Sequence, residues 1–121
     1  MRRAGGISIH AVDVACGRPA HGLAVRLFRS EARGTVEIAS GNCGETGLFD
    51  HPTVDGEGIT EGKYLTEFDV GKYFRERGVA LPDPGFLDTV QFHFGVADAA
   101  QHYHLPFKFT AWGFSLFRGG L

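Results

Sequence analysis

The chain has 121 residues, of which 43% are hydrophobic and 21% are charged, and its formal net charge is -2. This length suits one domain with a single core, so we expect residues 1–121 to fold together. The scattered basic residues argue against nucleic acid or an anionic membrane as a partner. No apolar run is long enough for a signal peptide or a spanning helix, which predicts a cytoplasmic protein.

Short segments with strand-like patterns follow one another along the chain. Strands are predicted over residues 7–14, 23–29, 36–39, 63–70 and 90–94, with a turn region over 41–47 and two more strands between 102 and 118, hinged at 111–113. Eighteen glycines and eleven phenylalanines suit tight turns around an aromatic core. Apolar residues recur at helical spacing only near 69–77, where Gly78 is a stop signal. The sequence therefore predicts an all-β sandwich or barrel with one short helix.

Four segments in a fixed order carry a family resemblance. They are His10-Ala11-Val12-Asp13 with Gly17-Arg18-Pro19-Ala20, then Phe68-Asp69-Val70-Gly71-Lys72-Tyr73-Phe74, then His102-Tyr103-His104-Leu105-Pro106, and finally Trp112-Gly113-Phe114-Ser115-Leu116-Phe117-Arg118-Gly119. Through them the chain resembles the 5-hydroxyisourate hydrolases, relatives of transthyretin, over almost its whole length. The resemblance implies a transthyretin-like sandwich of two four-stranded sheets and a homotetramer, a dimer of dimers with active sites in a channel. It also implies hydrolysis of 5-hydroxyisourate in urate breakdown, without metal or organic cofactor.

The resemblance implies two catalytic histidines, which correspond here to His10 and His104. Both are suited to proton transfer near neutral pH. The family's arginine aligns with Leu48, so an apolar side chain replaces a cation that can hold an anionic substrate. The family's C-terminal Tyr-Arg-Gly-Ser reads Phe117-Arg118-Gly119-Gly120, followed by Leu121, so two hydroxyl groups are lost.

Side chains two apart on a strand share a face, so His102, His104 and Lys108 are expected to point the same way. Lys108 is then a third candidate catalytic residue, either as a positive charge or as a nucleophilic amine, although a lysine reaching solvent at the channel mouth fits equally well. Three roles remain open for His102: it orients another catalytic group, it binds substrate, or it faces solvent. The candidate substrate-binding residues are Leu48, His102, Ser115, Phe117 and Arg118. For Arg118 a structural ion pair is the favoured alternative.

No metal site is predicted. His10, His102 and His104 on one face supply three nitrogens of the kind that bind zinc, but no carboxylate or cysteine is placed to complete such a site.

Three functions remain open from the sequence. The leading hypothesis is an enzyme of the hydroxyisourate hydrolase type with an altered pocket. It would use histidine acid/base catalysis to hydrolyse or open a different small cyclic or carbonyl-containing molecule. The first alternative is a genuine 5-hydroxyisourate hydrolase. The second is a non-catalytic small-molecule binding protein, as transthyretin is.

Overall fold

The computed structural model describes residues 5–119. Within them lie eight strands, a 3-10 helix over Pro52–Asp55 and one α-helix. The strands are β1 (Ile7–Asp13), β2 (Arg18–Pro19), β3 (Ala24–Glu31), β4 (Gly34–Asn42), β5 (Gly62–Asp69), β6 (Thr89–Val96), β7 (Tyr103–Phe109) and β8 (Phe114–Leu116), and α1 spans Val70–Glu76. None of the helices in this part of the chain is both long and apolar enough to cross a membrane.

The strands form two four-stranded sheets. The first has the order β2-β1-β7-β8 and the second the order β4-β3-β5-β6. The pairing of β1 with β7 is parallel, whereas the other pairings are antiparallel. This architecture confirms the predicted all-β sandwich of two four-stranded sheets with one short helix.

The core lies between the sheets and takes alternate residues of β1 and β7. Ile7 and Ile9 of β1 and Leu105 and Phe107 of β7 are each at most 2% exposed. Phe107 stacks on Phe68 of the second sheet, with ring centroids 3.9 Å apart. Because the odd-numbered side chains of these strands fill the core, the even-numbered ones lie on the outer face of the first sheet.

Helix α1 lies where the apolar spacing predicts it, within residues 69–77. The Asp69 side chain accepts a hydrogen bond from the Lys72 amide at 3.3 Å, which caps the N-terminus. Gly78, with φ of 75°, follows the last turn and ends the helix. The helix buries Tyr73, whose hydroxyl donates to the buried Asp13 carboxylate and so ties α1 to the first sheet.

Three local features differ from the sequence-based expectation. Strand β4 runs over nine residues instead of the four predicted, because it is a largely exposed edge strand and lacks the alternation that marks a half-buried strand. The two-residue strand β2 falls where a strand end was predicted. The 3-10 helix follows His51, whose Nδ1 accepts from the Thr53 amide. Neither short element is long enough to show a period.

Candidate functional site

The parallel pairing of β1 with β7 brings distant polar residues onto one surface. Its register places Ser8 opposite His104 and Val12 opposite Lys108. His10 lies between these pairs, opposite Pro106. We call this outer surface of the first sheet the histidine face. It brings together the predicted catalytic residues His10, His104 and Lys108.

His10 is held by the turn that precedes Phe49. Its Nε2 lies 2.7 Å from the Thr46 carbonyl oxygen, and Leu48 forms a β-bridge with it. The turn is fixed to β1 because the Ala11 amide donates to the Gly47 carbonyl at 2.9 Å. Gly47 has φ of 84°, and a Cβ there would stand 2.4 Å from the Ala11 oxygen, so this contact needs glycine.

His104 has one ring nitrogen bound within the protein. Its Nδ1 lies 2.7 Å from the Ser8 hydroxyl oxygen, and Ser8 is only 8% exposed. Burial lowers the pKa of His104 below its ordinary 6.5, and the positive charges that His10 and His102 can carry lower it further. A histidine of this kind is neutral and able to accept a proton at neutral pH.

His102 lies just before β7 and joins the same polar group. Its Nε2 is 2.7 Å from the Ser8 oxygen, and its Nδ1 is 2.8 Å from the Gly5 carbonyl oxygen. Ser8 thus bridges two histidines, a role that we did not predict. The signal was present in the sequence, because Ser8 stands two residues before His10 and shares its face, but its partners become visible only with the β1–β7 register.

Two further candidate residues lie beside Lys108. Ser115 of β8 pairs with Lys108 in register. The Lys108 ammonium nitrogen is 5.8 Å from the centre of the Phe117 ring, within the range of a cation–π contact. All three side chains are exposed, and half of the Phe117 surface is accessible.

The Arg118 guanidinium, in contrast, turns towards the Tyr103 ring and the Gln101 side chain. It donates to the Gln101 side chain and the His102 carbonyl, each at 3.2 Å, and lies 3.9 Å from the centre of the Tyr103 ring. These partners are neutral and replace the expected ion pair. The next residue returns to the site, because the Gly119 amide donates to the His104 carbonyl at 2.6 Å. Gly120, compared above with the family's C-terminal serine, and Leu121, which follows it, lie outside the described residues.

A cavity of about 450 Å³ borders the histidine face. Its lining residues include Ser8, Thr46 and Leu48, of which Leu48 is 45% exposed, whereas His10, His104 and Lys108 are not among them. This volume falls within the range of small-molecule sites. Across residues 5–119 no group of three or more histidine, cysteine or acidic side chains has the arrangement of a metal site, and this applies to His10, His102 and His104.

The two-sheet topology and the histidine face define a transthyretin-like sandwich. The family model described as HIUase/Transthyretin family matches residues 7–119, so the chain belongs to that family. Its relatives include 5-hydroxyisourate hydrolase 2 of Rhizobium meliloti, which is 42% identical over 98% of this chain and 99% of its own length. The 5-hydroxyisourate hydrolase of Ralstonia nicotianae is 40% identical over 95% of this chain and 98% of its own length.

Solved structures show the same likeness. A crystal structure of (S)-allantoin synthase superposes with a TM-score of 0.88 at 28% identity, and the match covers 98% of this chain and 45% of that one. The 5-hydroxyisourate hydrolase of Klebsiella pneumoniae gives a TM-score of 0.79 at 25% identity, covering 96% and 99%. Transthyretin from Sparus aurata, at 22% identity with a TM-score of 0.82 over 93% and 95%, shares the fold.

Proposed function

We propose that the chain hydrolyses a small cyclic amide of the 5-hydroxyisourate type, with His10 and His104 as its proton-transfer groups. The observation that carries this proposal is the pair of histidines on adjacent strands of one open face, each with one ring nitrogen fixed by a protein oxygen. Relatives at 40% and 42% identity that bear the name 5-hydroxyisourate hydrolase make this substrate the first to test.

The reaction needs three events that this face can support. A neutral histidine removes a proton from water as the water oxygen bonds to the carbonyl carbon of the substrate. The Lys108 ammonium stabilises the negative charge that develops on the carbonyl oxygen. When the carbon–nitrogen bond breaks, the histidine that took the proton from water gives it to the departing nitrogen and so returns to its neutral starting state.

Lys108 is proposed to supply the positive charge that the resemblance assigns to an arginine. Leu48 occupies the arginine's position beside His10, while Lys108 lies along the same face opposite Val12. A substrate anion can therefore still meet a cation, but from a different direction. Leu48 beside His10 and Phe117 near Lys108 offer apolar contact surface for a flat ring.

The deciding experiment measures turnover of freshly generated 5-hydroxyisourate by the wild-type chain and by the His10→Ala, His104→Ala double variant. We expect turnover that falls by about 10²- to 10⁴-fold in the double variant, the usual contribution of general acid/base catalysis. Unchanged circular dichroism would show that the variant folds. If a folded wild-type chain binds 5-hydroxyisourate without converting it, the hydrolase proposal fails and a binding protein replaces it.

A second candidate function is hydrolysis of a different small cyclic or carbonyl-containing molecule, and the exposed Leu48 beside His10 favours it. The test compares Leu48→Arg with the uncharged control Leu48→Met on 5-hydroxyisourate. A chain adapted to another molecule gains at least about tenfold in kcat/KM from the arginine alone, since charge-assisted hydrogen bonds contribute about 1.5–3 kcal/mol. Equal kinetics in both variants would count against the second candidate.

We also propose that the active form is a homotetramer, a dimer of dimers, in the cytoplasm. The histidine face is open in the single chain and carries the half-exposed side chains of Leu48 and Phe117, so a second subunit would enclose it. Light scattering at several dilutions, read beside activity per subunit, tests the assembly. A monomer with full activity would contradict it.

A further inference from the structure

The polar group behind His104 leaves one question about the proposed function, namely which ring nitrogen reacts. A carbonyl oxygen only accepts hydrogen bonds, so the His102 Nδ1, 2.8 Å from the Gly5 oxygen, carries a proton. In a neutral His102 the Nε2 is then a lone pair, and the Ser8 hydroxyl donates to it at 2.7 Å. A hydroxyl has only one proton, and Ser8 already donates it to His102. The Ser8 oxygen, 2.7 Å from the His104 Nδ1, must therefore accept a hydrogen bond from that nitrogen.

We infer that Ser8 and His102 are positioning residues that keep the proton of neutral His104 on Nδ1, leaving its Nε2 lone pair as the general base. This inference rests on the proposed function and deepens it. Within residues 5–119 no hydrogen-bond partner is found for the His104 Nε2, and the even-numbered positions of β7 face outward. His10 differs, because its Nε2 must donate to the Thr46 carbonyl.

The chain of hydrogen bonds also stabilises His104 after it takes a proton. The His104 Nδ1 donates to Ser8 whether the imidazole is neutral or protonated. This hydrogen bond is stronger when the imidazole is protonated, because its donor is then charged. The neighbouring groups that can carry a positive charge act in the opposite direction. His10 on β1, His102 before β7 and Lys108 on β7 share its face, whereas the guanidinium of Arg118 turns towards Tyr103. The base therefore stays neutral near pH 7 and is oriented by Ser8.

The arrangement has a defined reverse state, which makes the inference testable. If His102 is protonated, its Nε2 donates to Ser8, Ser8 donates to His104 Nδ1, and the proton of neutral His104 moves to Nε2. Base catalysis at Nε2 is then blocked. Nitrogen-15 NMR of the imidazole rings distinguishes the two tautomers of His104 directly.

The experiment records these spectra at pH 8 for the wild-type chain, Ser8→Ala and Ser8→Thr, and measures kcat and KM on 5-hydroxyisourate for each. We expect wild-type His104 to show a protonated Nδ1 and a bare Nε2, and Ser8→Ala to show a mixture of tautomers. Ser8→Ala should lower kcat by about 10- to 100-fold with little change in KM, as losses of orienting partners usually do, and Ser8→Thr should restore most of it. Ser40→Ala, on exposed β4, is the matched control and should match the wild type.

The outcomes separate the two claims. A wild-type His104 with its proton on Nε2 at pH 8 would overturn the inference, as would a Ser8→Ala chain with an unchanged tautomer and unchanged kcat. The His104 Nε2 could be unprotonated in the wild type and lose this preference in Ser8→Ala, while the chain does not convert 5-hydroxyisourate. That result would support the positioning role of Ser8 and reject 5-hydroxyisourate as the substrate. Thermal unfolding of each variant shows whether lost activity comes from lost folding.

Discussion

Lys108 is the cation that we propose to contact the substrate on the histidine face. It extends from β7 opposite Val12, with its ammonium near the Phe117 ring. We predict that Lys108→Met lowers kcat/KM for an anionic cyclic substrate by about 10- to 100-fold, because one charge-assisted hydrogen bond contributes about 1.5–3 kcal/mol. Lys72→Met, at an exposed position of helix α1, should leave steady-state kinetics unchanged. Equal kinetics in the two variants would remove Lys108 from the site.

The ionisation of His104 gives a second prediction for a single residue. Burial is the largest cause that lowers the pKa of His104, and a positive charge on His10 lowers this pKa further. NMR titration should therefore place the His104 pKa below 6.5 in the wild type and closer to 6.5 in His10→Asn, since removing a positive neighbour makes protonation easier. The acid limb of kcat/KM should follow the wild-type value, with activity lost as pH falls through it. A His104 pKa that does not move in His10→Asn would mean that the two rings are not coupled.

At the scale of elements, the turn over residues 44–49 decides how His10 is held. Gly47→Ala introduces a Cβ 2.4 Å from the Ala11 oxygen and 3.3 Å from the His10 Nε2 at a positive φ. Gly58→Ala is the matched control, because Gly58 also has positive φ but has no atom within 4 Å of its Cβ position. We expect Gly58→Ala to cost about 1–2 kcal/mol in the free energy of unfolding.

Gly47→Ala should cost about 1–3 kcal/mol more than this control, since it adds overpacking to the same backbone strain. It should also lower activity through His10, whereas Gly58→Ala should not. Urea unfolding and kcat/KM of both variants check the two statements. If Gly47→Ala were as stable and active as Gly58→Ala, the turn would not fix His10.

The elements also show how far sequence patterns reach. The two-residue period of strand side chains in β7 was enough to predict that His104 and Lys108 share a face, and helical spacing was enough to predict α1. The parallel pairing of β1 with β7 joins residues about 96 positions apart in the chain, as Ser8 and His104 are. No local pattern encodes such a contact, so the bridging role of Ser8 could not be predicted.

The direction of Arg118 was beyond prediction for a related reason. Strand β8 ends at Leu116, so the alternation that orients strand side chains no longer applies two residues later. The guanidinium turns to the Tyr103 ring and to neutral oxygens, contacts that depend on how the tail crosses the sheet edge. Leu48 could be aligned with the family's arginine only through the resemblance.

At the scale of the whole molecule, one aromatic stack joins the two sheets directly beneath the site. Phe107, which follows Pro106 and precedes Lys108 in β7, is fully buried. Its ring centroid lies 3.9 Å from that of Phe68 on β5. We predict that Phe107→Ala lowers the free energy of unfolding by about 3–5 kcal/mol, through lost transfer free energy and a residual cavity. Phe86→Ala, at a side chain that is 70% exposed, should change it by less than about 0.5 kcal/mol.

Equilibrium urea unfolding measures the free energy of unfolding of both variants. We expect the two to differ because Phe107 is buried between the sheets and Phe86 is exposed. Phe107 supports the inner side of the sheet whose outer side carries His104 and Lys108, so loosening it should also broaden the imidazole signals of His104. Ser8→Ala acts on the same imidazole from the outer side without opening the core. If Phe107→Ala and Phe86→Ala unfolded at the same urea concentration, the buried Phe107 ring would contribute no more to stability than the exposed Phe86 ring.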